Sequence, residues 1–405
     1  MESKNSLSLY CEQPRGYEEK PREGWVWLLV GSLYGTPNAP RQASKELIKM
    51  MTETGFKPLA GDSRWFLKRV DVQNFAMCVV HVDDIALATT TVELRDDVLN
   101  RWKTFFKLKV DLSPRSYLNI QLKKSENDKI LVLSQNNDVE EYVSLRRMTD
   151  CNAEKKSVST PLPSGFIYKK RGELEGRGHD HSYLRACGKL IWLLKTRLDA
   201  AYAINCLCRN MSNSTEEDDR LANWVARYFK GKLKFGLRYL SLPSPLNITL
   251  CGFVDASFAD GARSRSTGAW MLAFGDRFQI GGVIAAKSFV QRLPAHSTVE
   301  AEFYSLCEMA KQVVWARELL ASLGFPQQGP TTIYVDAQGV LDIAKNPVSQ
   351  ARTKHFALRQ DYIRHLIEVD VLQLEKIPTK ENPADLGTKS LGARQHEYLA
   401  AKFMQ

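Results

Sequence analysis

Residues 247–258, NITLCGFVDASF, combine the alternating apolar pattern of a β-strand with an aspartate at its end, Asp255. The stretch TTIYVD (331–336) has the same pattern and ends on Asp336. Strand side chains alternate between the two faces, so each aspartate shares a face with the residue two positions earlier. If the two strands pair side by side, their ends meet and the two carboxylates face each other.

A long amphipathic helix is predicted over residues 297–324, and it offers two more carboxylates, Glu300 and Glu302. The two cannot face the same way at about 100° per residue. The centre of the apolar stripe lies roughly 60° from Glu302 and roughly 100° from Glu300. Glu302 is therefore better placed at the margin of the sheet. The stripe consists of Val299, Phe303, Leu306, Ala310 and Val313.

The closing segment NPADLGTKSL (382–391) carries a fourth acid, Asp385, in the first turn of a predicted helix with Asn382 as its N-cap. Clustered carboxylates repel one another unless hard cations such as magnesium bind between them. Two magnesium ions about 3.5–4 Å apart can activate a water and stabilise the leaving oxygen of a phosphodiester. The pattern indicates metal-dependent phosphodiester hydrolysis.

Each acid alone has a simpler reading. An aspartate after a strand often starts a turn, and one in the first turn of a helix often interacts only with the helix dipole. What favours a site is the order of elements: three strands, the long helix, and then alternating strands and helices with acids at their ends.

Composition narrows the classes of function. The chain has 405 residues, 44% of them hydrophobic and 25% charged, with a net charge of +10. This charge is expected of a protein that binds an anionic partner such as nucleic acid. A basic protein without such a partner would carry it equally well. No apolar run reaches the roughly 20 residues of a membrane span, and the N-terminus lacks a signal-peptide pattern. We expect an intracellular protein without a membrane partner. The eight cysteines lack zinc-site spacing and are typical of reduced thiols.

The predicted fold class is a multidomain α+β and α/β protein. An α+β segment covers residues 1–160, and a loop rich in Gly, Pro and charge forms a linker at 161–182. Helical apolar spacing covers 183–245, and a mixed sheet with flanking helices covers 246–405.

Motifs along the whole chain resemble those of copia-type retrotransposon Pol polyproteins. In the last domain they are RSRSTGAWMLAFG (263–275), HSTVEAEFYSL (296–306), TKHFALRQDYIRHLI (353–367) and IPTKENPADLGTKSL (377–391). Upstream, residues 183–213 resemble the family's helical block between polymerase and nuclease. Each motif is weak alone, but their common order is specific.

The resemblance implies a ribonuclease H domain, which cuts the RNA strand of an RNA–DNA hybrid with two magnesium ions. The matching catalytic and metal-binding positions are Asp255, Glu302, Asp336 and Asp385. His355 matches a motif histidine, but beside Lys354 it is more typical of a phosphate contact or a helix start, so it stays outside the catalytic set. The basic helices of the connection are expected to lie along hybrid phosphates.

The first segment resembles a reverse transcriptase, with EQPRGYEE (12–19), SLYGTPNAPRQA (32–43), HVDDIALAT (81–89) and YLNIQLKK (117–124). The resemblance makes Asp83 and Asp84 polymerase residues that would bind magnesium in a completed site. Two adjacent aspartates between apolar strands are otherwise common at a solvated hairpin tip.

The polymerase pattern is incomplete. The family's third carboxylate lies in a strand before the Gln-Pro motif, and the chain begins too late to contain it. His81, Asn119, residues 36–38 and residues 42–43 also depart from the family pattern. We expect an incomplete palm and thumb that do not polymerise DNA alone.

The expected function is therefore hydrolysis of RNA in hybrids by a reverse transcriptase/ribonuclease H fragment. One alternative is a catalytically silent nucleic-acid-binding subunit that pairs with another Pol subunit, and another is the product of a degenerate element. The expected location is a cytoplasmic particle or the nucleus.

Overall fold

The computed structural model describes residues 4–13, 16, 25–31, 39–59, 62–71, 73–127, 129–146, 157–168, 178, 180–241, 248–261, 264–345 and 356–405. The chain forms two compact units. One comprises residues 1–113 with 322–324, and the other residues 114–321 with 325–405. No helix of the described segments combines the length and the apolar character that crossing a membrane requires.

The first unit contains an antiparallel ribbon and a four-stranded antiparallel sheet. Its elements are β1 (Lys4–Glu12), β2 (Val26–Gly31), α1 (Ala39–Glu53), β3 (Lys57–Leu59), β4 (Asp62–Arg69), β5 (Phe75–His81), β6 (Asp84–Thr89) and α2 (Val92–Trp102). Helices α1 and α2 contribute to a core with the sheet, to which Met50, Phe66 and Trp102 belong. Thr91 caps α2 by accepting a hydrogen bond from the Leu94 amide, as expected of a threonine N-cap.

The second unit begins with a small antiparallel sheet and a helical block. Its first elements are β7 (Ser116–Tyr117), β8 (Ile120–Lys124), β9 (Ile130–Ser134), α3 (Asn136–Leu145), α4 (His181–Leu193), α5 (Ala201–Cys208), α6 (Glu216–Gly231) and β10 (Leu237–Leu240). The sheet order is β10-β9-β8-β7, so the strand after the helices returns to the sheet before them. The helices α3 to α6 share one apolar core.

A five-stranded mixed sheet with four α-helices follows in the described part of the chain. The elements in chain order are β11 (Leu250–Ser257), β12 (Thr267–Gly275), β13 (Ile280–Val290), α7 (Thr298–Leu323), β14 (Thr331–Val335), α8 (Gln338–Lys345), α9 (Ala357–Glu368), β15 (Leu372–Lys376) and α10 (Ala393–Ala401). The order is β13-β12-β11-β14-β15, with β11 to β13 antiparallel and β14 and β15 parallel to β11. The predicted mixed sheet with flanking helices is confirmed.

Helix α7 packs on this sheet through the apolar stripe predicted from the sequence. Phe303, Leu306, Ala310 and Val313 are fully buried, and Val299 is partly buried against the same core. A Cβ on Gly252 of β11 would lie 2.2 Å from the Met309 methyl carbon, so the end of the Met309 side chain would have to shift to admit it.

The C-terminal segment differs from its prediction in two respects. Asp385 lies in a short 3₁₀ turn, Pro383–Gly387, and not in an α-helix. The chain then forms α10, which was not predicted. Leu399 and Phe403, in and just after α10, are buried in the same core as residues of the sheet, so α10 is part of this core.

The compact units do not coincide with the sequence-based segments. The division at residue 113 puts β7 to β9 together with the helical block and the mixed sheet. The domain boundaries at 160, 182 and 245 stay predictions, as do the assignments of residues 1–160 as palm and thumb and of 183–245 as connection.

Candidate metal centre

Asp255, within β11, and Asp336, directly after β14, lie side by side on two parallel strands. Strands β11 and β14 pair in register at Phe253 and Tyr334, and each aspartate follows two residues later. Asp255 is buried, and Asp336 is partly exposed. Parallel pairing of adjacent strands therefore produces the juxtaposition that the two sequence patterns predict.

Glu302 brings a third carboxylate to this edge from the first turns of α7. Its Oε1 accepts a hydrogen bond from the Ala256 amide at 3.0 Å, which fixes the side chain against the strand that carries Asp255. Its Oε2 is buried and has no hydrogen-bond partner among the described residues. Asp255, Glu302 and Asp336 each place a carboxylate oxygen within 4.8 Å of the others.

Glu300 lies on another side of the helix. Its carboxylate accepts a hydrogen bond from the His296 amide at 2.7 Å. It lines a cavity of about 360 Å³ together with Gln291, Tyr304 and Arg359. The structure thus brings Glu302, and not Glu300, into the carboxylate group.

Asp385, in the 3₁₀ turn, lies outside this group of three and is linked to Asp255 through the ammonium of Lys389. The turn is fixed to β11 because the Asn382 amide donates to the Val254 carbonyl at 2.8 Å, and Asn382 Oδ1 caps the turn at the Ala384 amide. Asp385 is 3% exposed, so it interacts with the interior of the site and not with solvent.

Thr388 and Lys389, which follow the 3₁₀ turn, contact the carboxylates directly. The Thr388 hydroxyl donates to Asp255 Oδ2. Lys389 Nζ lies 3.4 Å from Asp255 Oδ2 and 3.0 Å from Asp385 Oδ1. Neither residue is predicted as part of the site by the sequence pattern, although Lys389 follows Asp385 by four positions.

Burial and mutual repulsion favour the protonated forms of three of the acids. Burial and the charge of Asp255 raise the pKa of Glu302 well above its usual value. The same two causes raise the pKa of Asp336, and that of Asp385 to about 8. Burial opposes the charged form of Lys389, but Asp255 and Asp385 outweigh it and raise the pKa of the ammonium.

A divalent cation would fit this arrangement. Carboxylate oxygens are the ligands that magnesium prefers, and Glu302 Oε2 is a buried acceptor with no described partner. Bringing three acids so close without a compensating cation is electrostatically unfavourable.

Known proteins are similar to this chain over almost its whole length. A family model described as reverse transcriptase (RNA-dependent DNA polymerase) matches residues 2–161. The retrovirus-related Pol polyprotein of transposon TNT 1-94 from Nicotiana tabacum is 30% identical over 397 residues, which are 96% of this chain and 29% of that protein. The corresponding protein of transposon RE1 from Arabidopsis thaliana is 27% identical over 401 residues, or 97% of this chain and 26% of that protein.

This chain belongs to the Pol polyproteins of copia-type retrotransposons. The Pol chain spans less than a third of the length of these two relatives. Among solved structures, RNase H1 from the halophilic archaeon Halobacterium salinarum NRC-1 overlaps 35% of this chain and 94% of its own, with a TM-score of 0.26 and 17% identity. The strand order given above, and not this overlap, defines the fold.

The two aspartates of the polymerase motif lie in the first unit of the Pol chain. Asp83 is in the turn between β5 and β6, and Asp84 begins β6 opposite His81. Both aspartates are exposed. Within the described ranges, the only group of three metal-type ligands is the one around Asp255, so Asp83 and Asp84 are not part of such a group.

Several residues named in the sequence analysis lie outside the described residues. They are Lys354, His355 and residues 36–38. Of the other positions that depart from the family motifs, Asn119 adopts a positive φ of 63°, a conformation that asparagine tolerates better than most residues.

Proposed function

We propose that the Pol chain hydrolyses the RNA strand of RNA–DNA hybrids with two magnesium ions. The observation that carries this proposal is the set of three carboxylates within 4.8 Å, one of which has a buried oxygen with no described partner. The residues proposed as metal-binding and catalytic are Asp255, Glu302, Asp336 and Asp385.

The bound ions would activate a water molecule and stabilise the leaving oxygen of the phosphodiester. The protein contributes rigidity. Asp255 and Asp336 extend from paired strands, and the Ala256 amide orients Glu302. Such fixed ligands keep a reactive geometry better than side chains on loops.

The direction of substrate approach follows from exposure. Asp255, Glu302 and Asp385 are buried, whereas Asp336 is partly exposed. A phosphodiester would therefore enter from the side of Asp336, where the C-terminal end of β14 leads into α8.

The test is cleavage of a hybrid that carries labelled RNA. We expect magnesium-dependent cutting by the wild-type chain and a loss of about 100-fold or more in Asp336→Asn, since one ligand is removed. Asp342→Asn is the matched control, because this exposed aspartate of α8 lies outside the carboxylate group. Equal activity of wild type and Asp336→Asn would refute the proposal.

Polymerisation by this chain alone is proposed to be lost. The two motif aspartates are exposed, and within the described part of the chain they do not belong to a group of three ligands. We expect no primer extension on an RNA template with magnesium present. Extension that disappears in Asp84→Asn would contradict this.

Nucleic acid and another Pol subunit are the proposed partners. The proposed location is a cytoplasmic particle or the nucleus.

The net charge of +10 favours a second candidate function, that of a catalytically silent subunit that binds hybrids. Salt-sensitive hybrid binding without any cleavage would support that candidate over the nuclease.

A further inference from the structure

Lys389 places a positive charge inside the acidic site. Its ammonium lies between two carboxylates, 3.0 Å from Asp385 Oδ1 and 3.4 Å from Asp255 Oδ2. The side chain is 38% exposed, so the lysine occupies the margin of the site and is accessible from solvent.

The backbone fixes this position. The Lys389 amide donates to the Asp385 carbonyl at 3.2 Å, and the neighbouring Thr388 hydroxyl binds Asp255. On the other side, the Ser390 hydroxyl donates to the Pro163 carbonyl at 2.8 Å. The lysine is therefore directed back over its own turn and onto the two acids.

Asp255 borders two positions at which a cation can lie. On one side it forms the three-carboxylate group with Glu302 and Asp336, which holds no basic side chain among its members. On the other side it and Asp385 bind the ammonium of Lys389. The two sides of the site thus differ: one has only acceptors, and the other already contains a cation.

We propose that Lys389 is a resident cation that holds Asp255 and Asp385 together without metal and competes with any metal ion that binds between these two acids. This proposal rests on the proposed nuclease function. Lys389 is then a positioning residue. The three-carboxylate side binds magnesium first, and binding at the Asp255–Asp385 side requires the ammonium to move away.

The experiment measures magnesium binding by calorimetry and melting temperature in EDTA, both on the full chain. Lys389→Met removes the charge and keeps much of the length of the side chain. We expect its magnesium binding at the weaker site to be about tenfold tighter, because a competing charge at 3–4 Å is removed. In EDTA its melting temperature should fall, since the buried Asp255 loses the ammonium beside it.

Two further variants control the measurement. Lys389→Arg keeps the charge and should restore both the wild-type magnesium affinity and the melting temperature in EDTA. Lys380→Met removes an exposed lysine from the neighbouring turn and should leave both unchanged. If Lys389→Met does not fold, the neutral Lys389→Gln replaces it, and circular dichroism verifies the fold of each variant.

The outcomes separate this proposal from the nuclease. Unchanged magnesium affinity and unchanged melting temperature in Lys389→Met, with intact hybrid cleavage, would overturn the role of Lys389 alone. Magnesium binding that depends on Lys389 in a chain that does not cut hybrids would support the resident cation and refute the nuclease. Absence of magnesium binding in wild type and Lys389→Met alike would overturn both.

Discussion

Asn382 donates a hydrogen bond from its side-chain amide to the carbonyl of Val254, at 2.8 Å. Val254 is the residue before Asp255, and Asn382 begins the turn that carries Asp385. One buried amide therefore joins two elements that lie 128 positions apart in the chain and sets the spacing of their carboxylates.

Asn382→Ala should destabilise the second unit and impair the site. The change removes the bond to Val254 and the cap at the Ala384 amide, and it leaves a buried carbonyl without its partner. We expect a loss of roughly 2–3 kcal/mol in the free energy of unfolding. Urea denaturation measures it. Asn382→Ser keeps a capping oxygen and should recover part of the loss; equal stability of wild type and Asn382→Ala would contradict the link.

Glu302→Gln should raise stability without metal and abolish stabilisation by magnesium. The amide keeps an acceptor for Ala256, and it spares the folded chain the cost of either burying a charged carboxylate beside Asp255 or protonating it. We expect the melting temperature in EDTA to rise by about 2–4 °C if the change contributes about 1 kcal/mol. Magnesium should then cause no further rise.

The matched control is Glu308→Gln, on the same helix. Glu308 forms a partly exposed pair with Lys311 at 2.6 Å and lies outside the carboxylate group. Such pairs contribute little to stability, so this variant should melt like the wild type and respond to magnesium in the same way. A magnesium response that survives in Glu302→Gln would exclude Glu302 as a ligand.

The sequence was sufficient for the parts of the site that depend on regular periodicity. Alternation along β11 and β14 indicated the sheet face on which Asp255 and Asp336 lie, although β11 continues past Asp255 to Ser257. The 100° helical step distinguished Glu302 from Glu300. These relations hold within one element or between two paired strands, so they can be predicted from the sequence alone.

Long-range contacts could not be read in the same way. Asp385 lies in a 3₁₀ turn whose N-cap, Asn382, is bonded to a strand 128 positions away. Lys389, four residues after an acid, has the spacing of an ordinary surface pair. Arg197 belongs to the block expected to lie along phosphates, yet it is fully buried and paired with Asp199.

The stability of the metal-free chain should fall as the pH rises. Burial and Asp255 raise the pKa of Asp385 to about 8 in the folded state, against 3.8 for a free side chain. The folded chain therefore holds a proton that the unfolded chain has lost, so stability declines between about pH 4 and pH 8 and then levels off. Melting in EDTA from pH 5 to 9 measures this decline.

Asp385→Asn should have a flatter profile over the same range, because the amide does not titrate. Magnesium binding should show the opposite trend, strengthening up to about pH 8, since the cation requires the carboxylate form. A wild-type profile as flat as that of Asp385→Asn would show that this acid does not hold its proton in the folded chain.

The buried pair of Arg197 and Asp199 should be among the most sensitive points of the second unit. Both side chains are fully buried, 2.8 Å apart, and the Tyr228 hydroxyl donates to the same carboxylate at 2.6 Å. His396, from α10, binds the Asp199 carbonyl at 2.8 Å, so the network connects the helical block with the C-terminal helix.

Asp199→Asn leaves the Arg197 guanidinium buried without its counter-charge. We expect a loss of about 3–5 kcal/mol in the free energy of unfolding, measured by urea denaturation, because an unpaired buried charge is strongly unfavourable. Glu216→Gln is the control: its pair with Arg220 is exposed on both sides, and losing it should cost less than about 1 kcal/mol. Equal losses in the two variants would mean that water reaches Arg197 and that the network does not stabilise the connection to α10.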